Sequence, residues 1–240
     1  MTNSAAQQDC LIALHQLGGR GQAVTTTALA HALGVSAPTT TAAVKRLARA
    51  GLVRHTPYRG AQLTSAGRKA ARHVLRRHRL IESFLVSIMG FAWDEVHDEA
   101  HRLEHAVSDQ FTDRLDERLG HPQFDPHGDP IPTIGGKMAR EPEHSLADLS
   151  DGESGTIRQM QDEEAAFLRF AGAHGLVPGA KVDVLEVGAF DGPIRVRAGG
   201  HETTLTATVA ARILVARSKG HRMGPSATRS SSGLKPHRTG

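Results

Sequence analysis

Cysteine is nearly absent from this 240-residue sequence, in which Cys10 stands alone. That excludes an intrachain disulfide and any zinc knuckle built from several cysteines, and makes a reducing compartment the simplest expectation. Aromatic residues are scarce, at 4% against 39% hydrophobic residues overall, so the cores must be built from Leu, Val, Ile and Ala. No apolar run reaches the length that crosses a bilayer, and no basic start leads into an apolar stretch. The chain is therefore expected to be cytoplasmic and soluble, with no membrane partner. Acid is missing from one end: Asp9 is the only acidic residue before Glu82. The formal charge of +4 is thus concentrated locally, which favours an anionic partner for the N-terminal region.

Periodicity organises what is there. `DCLIALHQL` (9–17) spaces Leu11, Leu14 and Leu17 as an amphipathic helix does. `TTTALAHALGV` predicts a second helix with Thr27 as N-cap, closing at Gly34, and `SAPTTTAAVKRLARAGLV` a third, capped by Ser36, with Pro38 in the first turn and Gly51 at the end. `LVRHTPYRGAQLT` alternates around Tyr58-Arg59-Gly60 as a hairpin would. A long helix is expected from Ser65 to about Met89, basic first and apolar later. Another is expected from an Asp94 cap to about Leu119, with Val96, Ala100, Leu103, Val107, Phe111, Leu115 and Leu119 as its stripe. `GHPQFDPHGDPIPTIGG` reads as an ordered loop leading into a linker. Beyond it, a helix-like `DEEAAFLRFAGAHG` and strands in `KVDVLEV`, `PIRVRAG` and `TLTATVAARILV` predict a small β-rich domain. The expected division is 1–64, 65–140, a linker at 141–155, 156–216, and a disordered tail at 217–240.

Helix, helix, helix and hairpin in an acid-poor segment form a winged helix-turn-helix pattern, which predicts double-stranded DNA as a partner. The recognition helix begins with Ser36, Pro38, Thr39, Thr40 and Thr41, side chains small enough to approach base edges or phosphates. Lys45, Arg46 and Arg49 lie further along within reach of the backbone, and Thr25 to Thr27 and Arg59 are further phosphate-contact candidates.

The second constellation is `VHDEAHRLEH` (96–105). His97, His101 and His105 follow at four-residue intervals with Glu104 beside the last, and `HRLIE` upstream sets His78 and Glu82 four apart. Such neighbours share a helical face. If the two helices fold back on each other, His78, Glu82 and His97 converge, while His101, Glu104 and His105 make a second group that Asp9 can complete. Imidazole with carboxylate and no thiolate suits Mn²⁺, Fe²⁺, Co²⁺, Ni²⁺ or Zn²⁺. A wet, histidine-rich helical face is the alternative. In `DPHGDP`, His127 with Asp125 and Asp129 could also hold an ion, although turn formation accounts for the same residues.

`RRHRLIESFLVSIMGFAWDEVHDEAHRLEHAVSD` followed by `GDPIP` resembles the diphtheria toxin repressor family of iron- and manganese-dependent regulators. The likeness is strong over about 7–135 and extends weakly over the β-rich end. It implies a mainly α N-terminal part with a winged helix-turn-helix and a helical dimerisation domain, and a small SH3-like C-terminal domain. It further implies a homodimeric repressor, with two dimers per operator a further option, that binds palindromic operators of metal-uptake or iron-homeostasis genes when two sites per subunit hold Mn²⁺ or Fe²⁺. Zn²⁺, Co²⁺ or Ni²⁺ would substitute in vitro. By position, the ancillary site would be His78, Glu82 and His97, the activating site Asp9, His101, Glu104 and His105, and C-terminal ligands would fall near `RQMQDE`, with Gln159 and Asp162 as candidates. Iron-responsive members have Met at the position of Asp9 and Cys at that of His101. Manganese-responsive members have Asp at the first and a carboxylate at the second, so Asp9 leans toward manganese and His101 matches neither. Leu85, Ile88, Phe91, Trp93 and Leu103 are the implied dimer stripe, although a simple core accounts for each of them equally well. The competing readings are a metalloenzyme using the His/Glu cluster, against which no general base is left over beside an open position, and a winged-helix regulator that senses no metal.

Overall fold

The computed structural model describes residues 4–19, 21–140, 142–162, 164–190 and 192–218. The N-terminal unit packs α1 (Ala5–Gly18), α2 (Thr26–Ala32) and α3 (Ala37–Arg49) against a hairpin of β1 (Val53–Thr56) and β2 (Gly60–Leu63). Leu11 and Leu14 of α1, Leu29 of α2 and Val44 and Leu47 of α3 share one core with Val53 and Ala61. The cap of α2 is Thr25, whose hydroxyl accepts from the Ala28 amide; Thr27 lies inside the helix and exposed, correcting the expected cap. Ser36 caps α3 as expected, accepting from the Thr39 amide. Gly60 is required where the hairpin meets the chain at Val24: its φ is +98°, and a Cβ there would lie 2.3 Å from the Val24 carbonyl oxygen.

Helix α4 (Ser65–Ser87) is capped by Thr64 and carries the core of the middle unit. Leu80, Ile81 and Leu85 pack with Val96 and Ala100 of α5 (Val96–Glu104) and Leu115 of α6 (Asp109–Arg118). The single helix expected over 94–119 is therefore two. Ser108 accepts from the Phe111 amide and starts α6, while Asp94 caps nothing and meets Arg169 instead. Splitting the stripe leaves Phe111 exposed. Within the expected dimer stripe, Leu85 belongs to the core and Trp93 packs against the C-terminal unit. Ile88 and Phe91 remain exposed, joined by Met89.

The segment 141–155 contains β3 (His144–Ser145), a 3₁₀ turn (Leu146–Asp148) and the start of β4 (Ser154–Met160), and Leu146 and Leu149 are buried in the C-terminal core. That core lies against one six-stranded antiparallel sheet of order β3-β8-β4-β5-β6-β7, with β5 Lys181–Val187, β6 Ile194–Ala198, β7 His201–Leu205 and β8 Ile213–Arg217. Helix α7 (Ala165–Ala173) supplies Phe167, Leu168 and Ala171 to it. `TLTATVAARILV` is not one strand: Thr206 caps the short α8 (Ala207–Ala211), which divides β7 from β8. Arg217 ends β8, so the expected tail begins too early at 217; residues 219–240 lie outside the described residues. No helix among the described residues is long and apolar enough to cross a membrane.

The 120–136 loop is pinned to β4. Met160 donates its amide to the His127 carbonyl at 2.9 Å. Gly128, at φ +88°, comes so close that a Cβ would meet the Arg158 carbonyl oxygen at 1.9 Å.

Candidate metal centres and nucleic-acid interface

Two of the three ligand-rich groups lie where α4 crosses α5. Asp9, His101, Glu104 and His105 bring one donor atom each to within 4.8 Å of one another. His105 Nδ1 meets the Gln8 side-chain carbonyl at 3.0 Å. A carbonyl only accepts, so Nδ1 carries the proton and Nε2 presents its lone pair. That lone pair faces Asp9 Oδ1 at 3.0 Å and Glu104 Oε1 at 3.3 Å, and neither Asp9 Oδ1 nor His105 Nε2 is aligned for a hydrogen bond. Acceptors converging on acceptors need a cation or a proton between them. His101, half-exposed, adds Nδ1 at 3.2 Å from Glu104 Oε1. Burial raises the Asp9 carboxyl above its ordinary value, with His105 and His101 opposing.

The second group is His78, Glu82 and His97. Glu82 Oε1 lies 2.9 Å from His78 Nε2 and 3.4 Å from His97 Nδ1. Burial disfavours both charges, yet hydrogen bonds to Glu104 and Glu82 hold His78 well above the usual imidazole value. Hydrogen bonds from His78 and His97 likewise outweigh burial and depress Glu82. Glu104 joins the groups, since its Oε2 is 2.7 Å from His78 Nδ1. Sequence spacing placed Glu104 in one group only, and it missed Gln8, whose role depends on a contact across 97 residues. A third group, Glu82, Asp125 and His127, is buried throughout.

The C-terminal candidates separate. Gln159 donates to Asp129 Oδ1 at 3.0 Å while its own carbonyl oxygen is buried without a partner. Asp162 is paired with Arg212 at 2.6 Å, which occupies it elsewhere.

On the reading head, Ser36, Pro38 and Thr39 are exposed at the start of α3, and Thr41 is half-buried. Thr40 is fully buried and donates its hydroxyl to the Ser36 carbonyl, so it belongs to the core and not to a DNA-facing surface. Lys45, Arg46 and Arg49 on α3 and Arg59 at the wing tip are exposed, as is Arg54, which the sequence reading passed over.

Comparison with known proteins adds three family models in chain order. An "Iron dependent repressor, N-terminal DNA binding domain" matches 4–61. An "Iron dependent repressor, metal binding and dimerisation domain" matches 64–133, and a "FeoA domain" matches 144–217. The iron-dependent repressor IdeR of Mycobacterium leprae is 34% identical over 169 residues, covering 65% of this chain and 73% of that protein. The diphtheria toxin repressor of Corynebacterium efficiens is 36% identical over 170 residues, with the same coverage. Among solved structures, a manganese-dependent transcriptional repressor in complex with manganese superposes with a TM-score of 0.80 at 40% identity, over 88% of this chain and 99% of that one. The chain belongs to the diphtheria toxin repressor family of metal-dependent transcriptional repressors. The regulators named here are not enzymes, and nothing in this repressor's relatives supports the metalloenzyme alternative. The repressor's fold is the expected winged helix-turn-helix, helical middle and β-sheet C-terminal domain.

Proposed function

We propose that this chain is a homodimeric, metal-activated transcriptional repressor that binds palindromic operator DNA when loaded with Mn²⁺ or Fe²⁺, controlling metal-uptake or iron-homeostasis genes. The observation that carries it is the convergence of the His105 lone pair with Asp9 and Glu104, on a chain whose relatives are metal-dependent repressors. The activating group would be Asp9, His101, Glu104 and His105, the ancillary group His78, Glu82 and His97, with Gln159 and Asp162 as its candidate C-terminal ligands. Oxygen and imidazole donors without thiolate suit Mn²⁺ and Fe²⁺ alike. A bound divalent cation would supply the positive charge that these acceptors lack.

The chain's own residues supply the coupling. Asp9 sits on α1, and Leu11 and Leu14 of the same helix pack in one core with Val44 and Leu47 of the reading helix α3. Fixing Asp9 against α5 therefore fixes the reading head against the middle unit. Coupling is reciprocal, so operator DNA must tighten metal binding in return. Ser36, Pro38, Thr39 and Thr41 would approach base edges, with Thr27, Lys45, Arg46, Arg49 and Arg59 on phosphates. The exposed Ile88, Met89 and Phe91 suit a dimer face, and the boundaries at 64/65 and 140/141 would mark the functional units.

The test is operator binding by purified protein at fixed salt, with Mn²⁺, Fe²⁺ under anaerobic conditions, Zn²⁺, or chelator. Affinity should rise by about 5- to 150-fold with Mn²⁺ or Fe²⁺, as coupling energies of about 1–3 kcal/mol imply. Equal affinity with and without metal would leave a winged-helix regulator that senses no metal.

A further inference from the structure

Four cations of α4 belong to neither metal group nor to the reading head. Lys69, Arg72, Arg76 and Arg77 recur at three- and four-residue spacing, so they share one side of the helix. All four line a cavity of about 440 Å³, closed on its far side by Thr133, Ile134 and Gly136 of the turn after `GDPIP`. That turn fixes two of the guanidinium groups. Arg76 Nη1 donates to the Pro132 carbonyl at 3.1 Å and Arg72 Nη1 to the Gly136 carbonyl at 3.0 Å. Carboxylates answer only part of the charge. Arg76 meets Asp116 at 3.0 Å and Asp113 at 3.9 Å, and Arg77 meets Asp109 at 3.0 Å. Asp109 is the only acidic side chain on the cavity wall among the described residues, and His73 claims it too, at 2.8 Å. Lys69 and Arg72 pair with no carboxylate among the described residues. Arg72 Nε and Arg77 Nε are, in addition, buried with no hydrogen-bond acceptor, a costly arrangement for charged donors.

We propose that this cavity binds a small organic phosphate, its phosphate group held by Lys69 and Arg72 and its organic part lying on the apolar wall. Two unpaired cations match a phosphate monoester, which carries a charge of about −1.5 to −2 at neutral pH. A guanidinium fork fits phosphate oxygens, and a lysine adds a point charge on a flexible stem. A metal ion is disfavoured by the same cations. The apolar part of the wall is Ala70 and Val74, with Ile134 at the mouth, 74% exposed and explained by no core. The volume decides between phosphates. Small-molecule sites are concave and span about 300–1,000 Å³, and this cavity falls within that range, whereas a DNA backbone needs an open surface. The site stands independently of the metal reading, because the cations that hold the phosphate belong to neither metal group.

Full-length protein, stripped of metal and desalted, is titrated calorimetrically with phenyl phosphate and with inorganic phosphate. The expected result is one saturable site per chain that takes phenyl phosphate more tightly than inorganic phosphate. Lys69→Gln and Arg72→Gln should each weaken phenyl phosphate by about tenfold or more, since hydrogen bonds between charged groups exceed the value of neutral ones. Arg46→Ala with Arg49→Ala, on the reading head, should leave that affinity unchanged. No saturable binding by the unaltered chain overturns the site, and so does an affinity unchanged in both Lys69→Gln and Arg72→Gln. Equal affinity for the two phosphates overturns the organic ligand. Operator binding across salt supplies the last arm. Lys69→Gln should keep the salt slope of the unaltered protein, and a reduced slope would assign the phosphate to the DNA backbone and overturn the small-molecule site. Lys69 is exposed, so its replacement tests the site without disturbing the core.

Discussion

Glu104 is fully buried, and its two oxygens serve different groups: one touches His78, the other His101 and His105. Replacing it by Gln removes a charge from both while keeping the shape. Glu104→Gln should therefore weaken Mn²⁺ binding at both groups, by about 10–100-fold where it is the outer partner of His78 and by more where it would be a ligand. Calorimetric titration checks this; a loss confined to one class of sites would contradict the shared role. His101→Ala, removing a half-exposed candidate ligand, should affect one class alone. The four-residue spacing of these candidate ligands was legible in `VHDEAHRLEH` because helical geometry fixes which residues share a face. The double duty of Glu104 was not, because it depends on how closely α4 and α5 cross. Thr40 shows the reverse limit. A threonine in the first turn of a recognition helix is equally suited to DNA and to core, and only its burial in the folded chain decides.

At the scale of elements, the break between α5 and α6 sits where the sequence reads Ser108-Asp109. The hydroxyl of Ser108 accepts from the Phe111 amide at 3.2 Å, and Asp109 lies in the first turn, favourable to the helix dipole. Ser108→Ala should cost about 1 kcal/mol, lowering the melting temperature by roughly 2–4 °C for a chain of this size, as differential scanning calorimetry would measure. That cap signal was present in the sequence but was overridden by an apolar stripe continuous across it. The split of `TLTATVAARILV` was hidden in the same way: β-branched residues suggest strand, and the Thr206 cap of α8 is visible only to a search for helix starts. A second tie holds α6 to α4. Arg76 lies 3.0 Å from Asp116, both side chains nearly buried. Burial raises Asp116, but the hydrogen bonds and charges of Arg76 and His121 outweigh it and hold the carboxyl below its ordinary value. The folded state thus binds this proton less readily than the unfolded chain. Its contribution is complete above about pH 4, the unfolded aspartate value, and is lost as pH falls through the depressed folded value. Asp116→Asn should cost about 3 kcal/mol at neutral pH, and the gap in melting temperature between variant and unaltered protein should narrow as pH drops below about 4. A gap constant with pH would show that the carboxylate's charge does no stabilising there.

The whole molecule is electrostatically lopsided, and this bears on its use. The only acidic residue before Glu82 is Asp9, turned toward α5 and engaged by His105. Lys45, Arg46, Arg49, Arg54 and Arg59 are exposed on α3 and the wing. None of these cations meets a carboxylate among the described residues, and they occupy the elements that carry the reading head. This asymmetry was legible from charge order alone. What linked it to the metal groups was not, because that link is the packing of α1 against both α3 and the α4–α5 crossing. If Arg46 and Arg49 each neutralise a phosphate, each contributes about one unit to the slope of log affinity against log salt. Replacing both with Ala in a dimer removes four contacts. The slope magnitude for operator binding at saturating Mn²⁺ should then fall by about 4, with affinity lost almost equally for specific and unrelated duplexes. Ser36→Ala or Thr39→Ala, by contrast, should leave the slope unchanged and narrow the gap between operator and unrelated DNA. Fluorescence anisotropy from 50 to 300 mM salt separates the two. An unchanged slope in the double arginine variant would place these side chains off the phosphate backbone, and would move the reading surface of the dimer toward the wing and its Arg54 and Arg59.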